Sequence, residues 1–443
     1  MSSTPATPAS VSTASITPAA TPTPEGLPAL DYSGHVYNLT AEQTKQLHLF
    51  RKKHFAQFAS DIQSQAVPEP TAASASWADP AFPAHAEVAF PPRNLRQQSH
   101  WFSQHDHPDS LLLRFLRARK WNQKKAEEMM AEAYEWREKI DIFEIINKGE
   151  SSLNKVVLEK SIGFVKGQDR YGRPVVRTIT KLHSQKDMNE TESLRFLVTF
   201  IENCRLFLRH PHEKMTIIFD LTDFGLKNMD TPFVNMLIKC LERYYPESLA
   251  MFIIYGAPWV FSGIWRMISP LLDPVVASKI KFFNKPAEVQ KYIDPIYLPK
   301  HMGGTEKTRF KFVWPVEGEN DHMTKDVEGR AAAMKHRAEA IRAFEQATIA
   351  LDAAYTEMYK DDTVDKHGVT VGEPGAKASA ELKTKIAELD AAREATIKEL
   401  QASAEVLDKY VRAVNIYQRV GVLDEHRVSH WEKFDAVGAP VDE

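Results

Sequence analysis

The stretch that opens on Met215-Thr-Ile-Ile-Phe-Asp-Leu221 and closes on Met251-Phe-Ile-Ile-Tyr255 decides the fold. Both end runs are short, rich in β-branched and aromatic residues, and apolar without alternation, which is the pattern of strands buried on two faces. Between them, Thr231 to Arg243 spaces Phe233, Leu237 and Leu241 at helical intervals. Working outward, Leu194, Leu197, Ile201, Cys204 and Leu208 mark a helix upstream. Ahead of that helix, Gly163-Phe-Val-Lys-Gly167 and Asp169-Arg-Tyr-Gly172-Arg-Pro-Val-Val-Arg177 read as two strands around a glycine turn. Downstream, Pro258 to Leu272 is apolar and helical, and Lys279 to Phe283 is a further short strand. Strands alternating with helices imply an α/β lobe with a mostly parallel sheet.

Farther out the pattern is helical. Asn122 caps a predicted helix with Ala126, Met129, Met130, Ala133 and Ile140 on its buried face, Arg137 joining them by its stem only. Asp109 is the expected cap of the helix carrying Leu112, Phe115 and Leu116, and Thr40-Ala-Glu-Gln43 fits a capping box. Lys325 to Lys360 and Ala378 to Arg419 predict a hairpin of two long helices. The first 26 residues, rich in Ser, Thr, Pro and Ala, read as a disordered tail, and Val67 to about Pro92 as a linker. The expected divisions are therefore an extension with one helix (1–94), a helical lobe (95–148), the sheet lobe (149–305) and a helical acidic extension (306–443).

Of 443 residues, 43% are hydrophobic, enough for a sizeable core, and the formal net charge is −3. From Asp321 onward 17 basic residues face 24 acidic ones, leaving +4 on residues 1–320. A dominantly basic protein is excluded and no nucleic-acid partner is expected; the front part suits an anionic surface and the tail does not. Cys204 and Cys240 cannot build a disulfide framework or a four-thiolate metal site, so a reducing compartment is expected. No Lys or Arg precedes Lys45, which speaks against a secretory signal. The longest uncharged run, Ser248 to Trp265, is interrupted by Gly256 and Pro258 and reads as a strand feeding a helix rather than a membrane span.

Catalytic signatures are missing: the sequence holds no phosphate loop, dinucleotide fingerprint, zinc-protease motif or nucleophile elbow, since Ser262 lacks a preceding glycine. His210 and His212 flank Pro211 as loop histidines, and Asp220 is expected to cap the turn after its strand. No enzymatic activity, metal or cofactor is expected.

Three segments, in order from Asp109 to Gly304, together resemble the CRAL-TRIO family of lipid-binding proteins, in particular fungal phosphatidylinositol transfer proteins of the yeast type. They are Leu111-Leu-Leu-Arg-Phe-Leu-Arg-Ala-Arg-Lys-Trp-Asn122 with Trp136-Arg137, then Asp169 to Val175 with Ile217-Ile-Phe-Asp-Leu221. The third runs from Tyr244-Tyr-Pro-Glu247 through Ile254 to Pro258, Pro270 to Pro274 and Ser278-Lys-Ile280 to Leu298-Pro-Lys-His-Met-Gly-Gly304. The resemblance implies a small helical lobe packed on an α/β lobe whose helices enclose an apolar lipid pocket. It also implies that the helix 258–272 is a gate that moves on contact with a membrane. Pocket and gate would be formed by Phe219, Tyr255, Trp259, Phe261, Ile264, Trp265, Ile268 and Leu272. The gate sequence fits independently, for a helix apolar on every face must be buried all round or meet lipid.

The resemblance also places a phosphatidylinositol head group at Arg119, Lys120, Glu247 and Lys279. Cations suit a phosphodiester and a carboxylate accepts from inositol hydroxyls. Two positions depart from the family pattern. Val276 replaces a phosphate-contacting threonine, and Met215 and Ile217 replace the hydroxyls that hold a choline phosphate. A second ligand is therefore expected to be more apolar than phosphatidylcholine, such as a sterol precursor. The function implied is a cytoplasmic carrier, peripherally associated with membranes, that moves phosphatidylinositol between bilayers. The alternative is a lipid-sensing adaptor whose C-terminal helices dock a protein partner.

Overall fold

The computed structural model describes residues 25–59, 94–364 and 370–440; the tail expected before Glu25 and the linker from Val67 to Pro92 lie outside them. The chain begins with α1 (Ala41–Ala56), opened by the capping box between Thr40 and Gln43. Next come α2 (Leu95–Ser103), α3 (Pro108–Ala118), α4 (Gln123–Lys139), α5 (Ile142–Lys148) and α6 (Lys155–Lys160). Leu113, Phe115 and Leu116 of α3 pack with Ala126, Met129 and Ala133 of α4 and with Phe50 of α1 to form the core of a helical lobe.

Two expectations for this lobe need correction. His107, not Asp109, caps α3. Asp109 is freed for another use: it sits 6% exposed, in the first turn of the helix, between two guanidiniums. Arg137 buries its head as well as its stem, because Glu202 accepts from it at 3.0 Å and Tyr245 Oη lies 3.3 Å away. A buried charge with such partners escapes most of its desolvation cost.

The sheet lobe runs β1 (Gly163–Gln168), β2 (Pro174–Ile179), α7 (Glu190–Arg205), β3 (Met215–Asp220), α8 (Thr231–Lys239), β4 (Leu249–Tyr255), α9 (Phe261–Ile268) and β5 (Ile280–Phe283). The five strands lie in sequence order; β1 pairs antiparallel with β2, and β2 to β5 are parallel. Right-handed crossovers between consecutive neighbours put every connecting helix on one side. That side carries α7, α8 and α9. The opposite face buries Val175, Ile218, Met251 and Ile253 against Val289, Ile293, Leu298 and Met302 of the short turns that follow β5. Leu208 lies beyond the end of α7, and the helix expected to reach Arg243 changes to a π-helical turn at Cys240–Tyr244. Asp220 does cap its turn, accepting from the Thr222 amide at 3.0 Å, and also binds His301 at 2.7 Å.

The C-terminal hairpin is α10 (Val327–Tyr359) and α11 (Ala380–Val411). One side of it docks on the helical lobe through charges: Arg393 reaches both oxygens of Asp109, Arg51 bridges Asp109 and Asp352, and Arg96 and His100 share Glu345. Beyond α11 the chain returns to the sheet lobe. Ile416, Tyr417, Leu423 and Phe434 join the core around Phe164, Val165 and Phe207. Tyr417 accepts the outward amide of Val165 at 2.8 Å, which blunts the edge strand β1.

Candidate functional site

Between the sheet and its three crossover helices lies an apolar cavity of about 180 Å³. Its floor is the helix-bearing face of the strands: Val176, Ile217, Phe219, Phe252, Ile254 and Ile280. Its walls are Phe196, Leu197 and Phe200 of α7 and Phe233, Val234 and Leu237 of α8, and its roof is Phe261, Ile264, Trp265 and Ile268 of α9. Leu272, Val276 and Phe224 complete the rim.

Of the pocket and gate residues expected from sequence, Phe219, Phe261, Ile264, Trp265, Ile268 and Leu272 line this cavity, and Tyr255 and Trp259 do not. Strand periodicity explains Tyr255. With Phe252 and Ile254 on the cavity face, the next residue points to the other side, where the Tyr255 hydroxyl donates to the His301 carbonyl. Trp259 precedes the helix and is 89% exposed. The roof is also shorter than 258–272: α9 ends at Ile268, and a single 3₁₀ turn, Ser269–Leu271, follows. Gly256 makes the bend into it at φ +66, where a Cβ would stand 2.9 Å from Thr222 Oγ1.

One side of the roof helix faces the cavity. The other carries Ser262, Gly263, Arg266 and Met267 (60% exposed), and two more exposed large apolar side chains flank the helix, Trp259 before it and Leu271 (55%) just beyond it. No side chain caps the N-terminus of α9, and its flanking contacts are aromatic: Phe261 with Phe224, and Trp265 with Phe282 at 5.0 Å between centroids.

The N-terminal edge of the sheet carries charge. Trp136 stacks on Tyr244 at 4.0 Å, and the Tyr245 hydroxyl donates to Glu202, so the chain entering β4 is held firmly. Glu247 follows in the left-handed region at φ +58, a conformation that costs energy for a residue with a Cβ. Its carboxylate meets Lys214 at 2.9 Å. Burial alone would raise its pKa, but Lys214 and Lys279 hold it below the ordinary value. Lys279 is shifted down, first by burial and then by Lys214 and Arg117, with Glu247 opposing. Arg117 itself donates to Glu213 and to the Gly34 carbonyl. Arg119 lies at the end of α3, half-buried, where it acts electrostatically on Glu242; Lys120 is exposed at φ +50.

The structure therefore brings Glu247 and Lys279 together, sets Arg119 near Glu242 and leaves Lys120 exposed; none of the four lines the cavity. It adds Lys214 and Arg117, which the sequence reading missed. A signal existed. Lys214, Glu247 and Lys279 each stand one or two residues before one of three adjacent parallel strands, so they share an edge by topology. At the far end of the cavity Asp230 caps α8 and binds His183 at 3.0 Å, a polar terminus also absent from the sequence expectations.

Residues 158–304 match the CRAL/TRIO domain and residues 66–132 the CRAL/TRIO N-terminal domain. A phosphatidylinositol transfer protein, CSR1, of Eremothecium gossypii is 36% identical over 72% of this chain and 69% of its own length. The chain belongs to the CRAL-TRIO family. The CRAL-TRIO domain-containing protein C3H8.02 of Schizosaccharomyces pombe is 34% identical over 72% of this chain and 66% of its own. This CRAL-TRIO chain thus spans about two thirds of each of these relatives. The crystal structure of Sfh5 is similar over 41% of this chain and 66% of that one, at 17% identity and a TM-score of 0.36. Among the described residues no helix is long and apolar enough to cross a membrane.

Proposed function

We propose that this protein is a non-enzymatic carrier that lifts phosphatidylinositol out of one bilayer and delivers it to another. The observation that carries the reading is an apolar cavity whose roof helix exposes large apolar side chains on itself and at both its ends, Met267, Trp259 and Leu271. Exposed large apolar side chains in one patch mark a surface that meets another apolar phase. Trp259, Met267 and Leu271 enter the bilayer interface, α9 swings outward, and the acyl chains slide beneath it. A cavity of about 180 Å³ is below the roughly 300–1,000 Å³ of ordinary ligand pockets, so a filled pocket goes with a displaced roof. Burial yields about 0.8 kcal/mol per methylene, close to what the bilayer gives. Exchange is then nearly balanced, and the roof sets its rate. No covalent step is needed.

The head group rests at the charged edge, its phosphate on Lys279, Arg119 and Lys120, its inositol hydroxyls donating to Glu247. Lys214 and Arg117 add positive potential there. Val276 and Ile217 line the cavity without hydroxyls, which favours a second, more apolar ligand of the sterol-precursor kind over phosphatidylcholine. An unmet buried polar group costs about 1–3 kcal/mol. The test is transfer of phosphatidylinositol between vesicles by the full chain and by Lys279→Ala/Arg119→Ala. The double variant is expected to keep its thermal midpoint and lose transfer; unaltered transfer removes the head-group assignment.

A further inference from the structure

Next to the lipid cavity lies a smaller chamber of about 40 Å³, and the two share four lining residues: Ile162, Gly163, Phe196 and Phe200. The far wall of the chamber is Phe310, Phe312, Ile416 and Tyr417. All four come from beyond residue 304, where the match to the CRAL/TRIO domain ends. Two of its polar members are committed elsewhere, since Glu150 takes the Ile416 amide at 2.8 Å and Arg419, and Asn203 meets Asn415. A water needs two to four polar partners to be held, and the chamber offers the Thr199 hydroxyl, unpaired among the described residues, and the Tyr417 hydroxyl, which already accepts from Val165.

Gly163 and the rings of Phe196 and Phe200, stacked at 6.1 Å, form the partition between the two spaces. A Cβ built on Gly163 would meet Phe200 Cζ at 3.6 Å and Thr178 Oγ1 at 3.8 Å. Phe200 and Thr178 both line the main cavity, so at this point the partition is the Phe200 ring with no strand side chain behind it.

We infer that the chamber receives the terminal carbons of one acyl chain, so that the C-terminal extension sets which chain lengths the carrier accepts. The inference rests on the carrier reading and deepens it. By volume the chamber holds about three water-sized groups, the last two or three carbons of a chain. Phe312 and Tyr417 are the stop against which the chain end is measured. A lipid too short leaves this wall unfilled, and one too long meets it.

The experiment measures transfer of phosphatidylinositols that differ only in acyl length, from phosphatidylcholine vesicles, by the full chain and two variants. Gly163→Val introduces a residue that strands favour and backs the Phe200 ring with a branched side chain, so that the ring can no longer give way to an acyl end. It is expected to lower the preference for the longer over the shorter chain about tenfold, the worth of roughly two buried methylenes. Phe312→Ala deepens the chamber and shifts the preference toward longer chains, so the idea stays testable should the valine variant not fold. If either folded variant transfers lipid with the wild-type length preference, the inference is overturned and the carrier reading stands. If the wild type moves no lipid at all, both fall together.

Discussion

Asp109 is held by two cations at once: Arg393 at 2.7 and 2.8 Å and Arg51 at 3.1 Å, all three side chains buried. Burial pushes its carboxyl up, and the two guanidiniums more than reverse this, leaving it far below the usual carboxylate range. Removing one member of such a group strands the others without water, which costs about 3–5 kcal/mol. Asp109→Asn keeps the shape and deletes the charge; urea unfolding is expected to show a loss of that size, and a change under about 1 kcal/mol would mean the arginines find other partners. Trp259 is the opposite kind of residue. With 89% of its surface exposed it stabilises nothing in the fold, so Trp259→Ala should leave the melting temperature unchanged while slowing vesicle binding and lipid transfer. A lower melting temperature would instead make it a packing residue.

The seam between the helical lobe and the hairpin is an element-scale feature with its own acid response. Burial drives His54 down to about 3 and His105 down to about 4, His105 further by the nearby Arg427, and it lowers His100 against the pull of Glu345. An unfolded histidine titrates near about 6.5. Between that value and about 4 the unfolded chain therefore binds more protons than the fold, and stability falls as the pH drops. The carboxylates Glu202 and Glu213, held down to about 2 by neighbouring arginines despite burial, extend the loss to lower pH. Glu150, raised to about 7 by burial, and Asp390 and Glu242, also raised by burial, act in the reverse sense, but His35, His210 and His212 are lowered by burial alongside the three histidines of the seam and outnumber them. Urea midpoints should decline steadily from about pH 7 to about pH 4.5; a midpoint that rose on acidification would refute this account of the seam. Sequence and structure part company at the same elements. The strands were legible because residues such as Ile217, Ile218, Ile253 and Ile254 can only be buried, and the roof helix because its run of large apolar residues permits little else. Tyr255 was misplaced because a run apolar on both faces does not say which face meets the cavity. The hairpin's docking was hidden because Arg393, 1% exposed, sits in a helix whose Ala, Glu, Lys and Leu content looks the same whether solvated or packed.

For the molecule as a whole, the question is whether the C-terminal extension is an appendage or a part of the lipid-binding body. An adaptor arm would leave a complete lipid-binding body when removed. Here the extension supplies Ile416, Tyr417, Leu423 and Phe434 to a core shared with β1 and β3, an acceptor for the edge amide of Val165, and the countercharges of Arg51, Arg96 and Asp109. Each buried large side chain contributes about 1.5–3 kcal/mol, against a total stability of roughly 5–15 kcal/mol. Four of them come to about 6–12 kcal/mol, most of that total, and Arg96 loses Glu345 besides, while Arg51 and Asp109 are left with only each other. Deleting residues 326–443 is therefore expected to give a chain that is insoluble or lacks a cooperative unfolding transition, measurable by circular dichroism, with no lipid transfer. A truncated protein that melts cooperatively and still moves phosphatidylinositol would make the extension dispensable to the fold, and would restore the adaptor reading as the better account of what those helices are for.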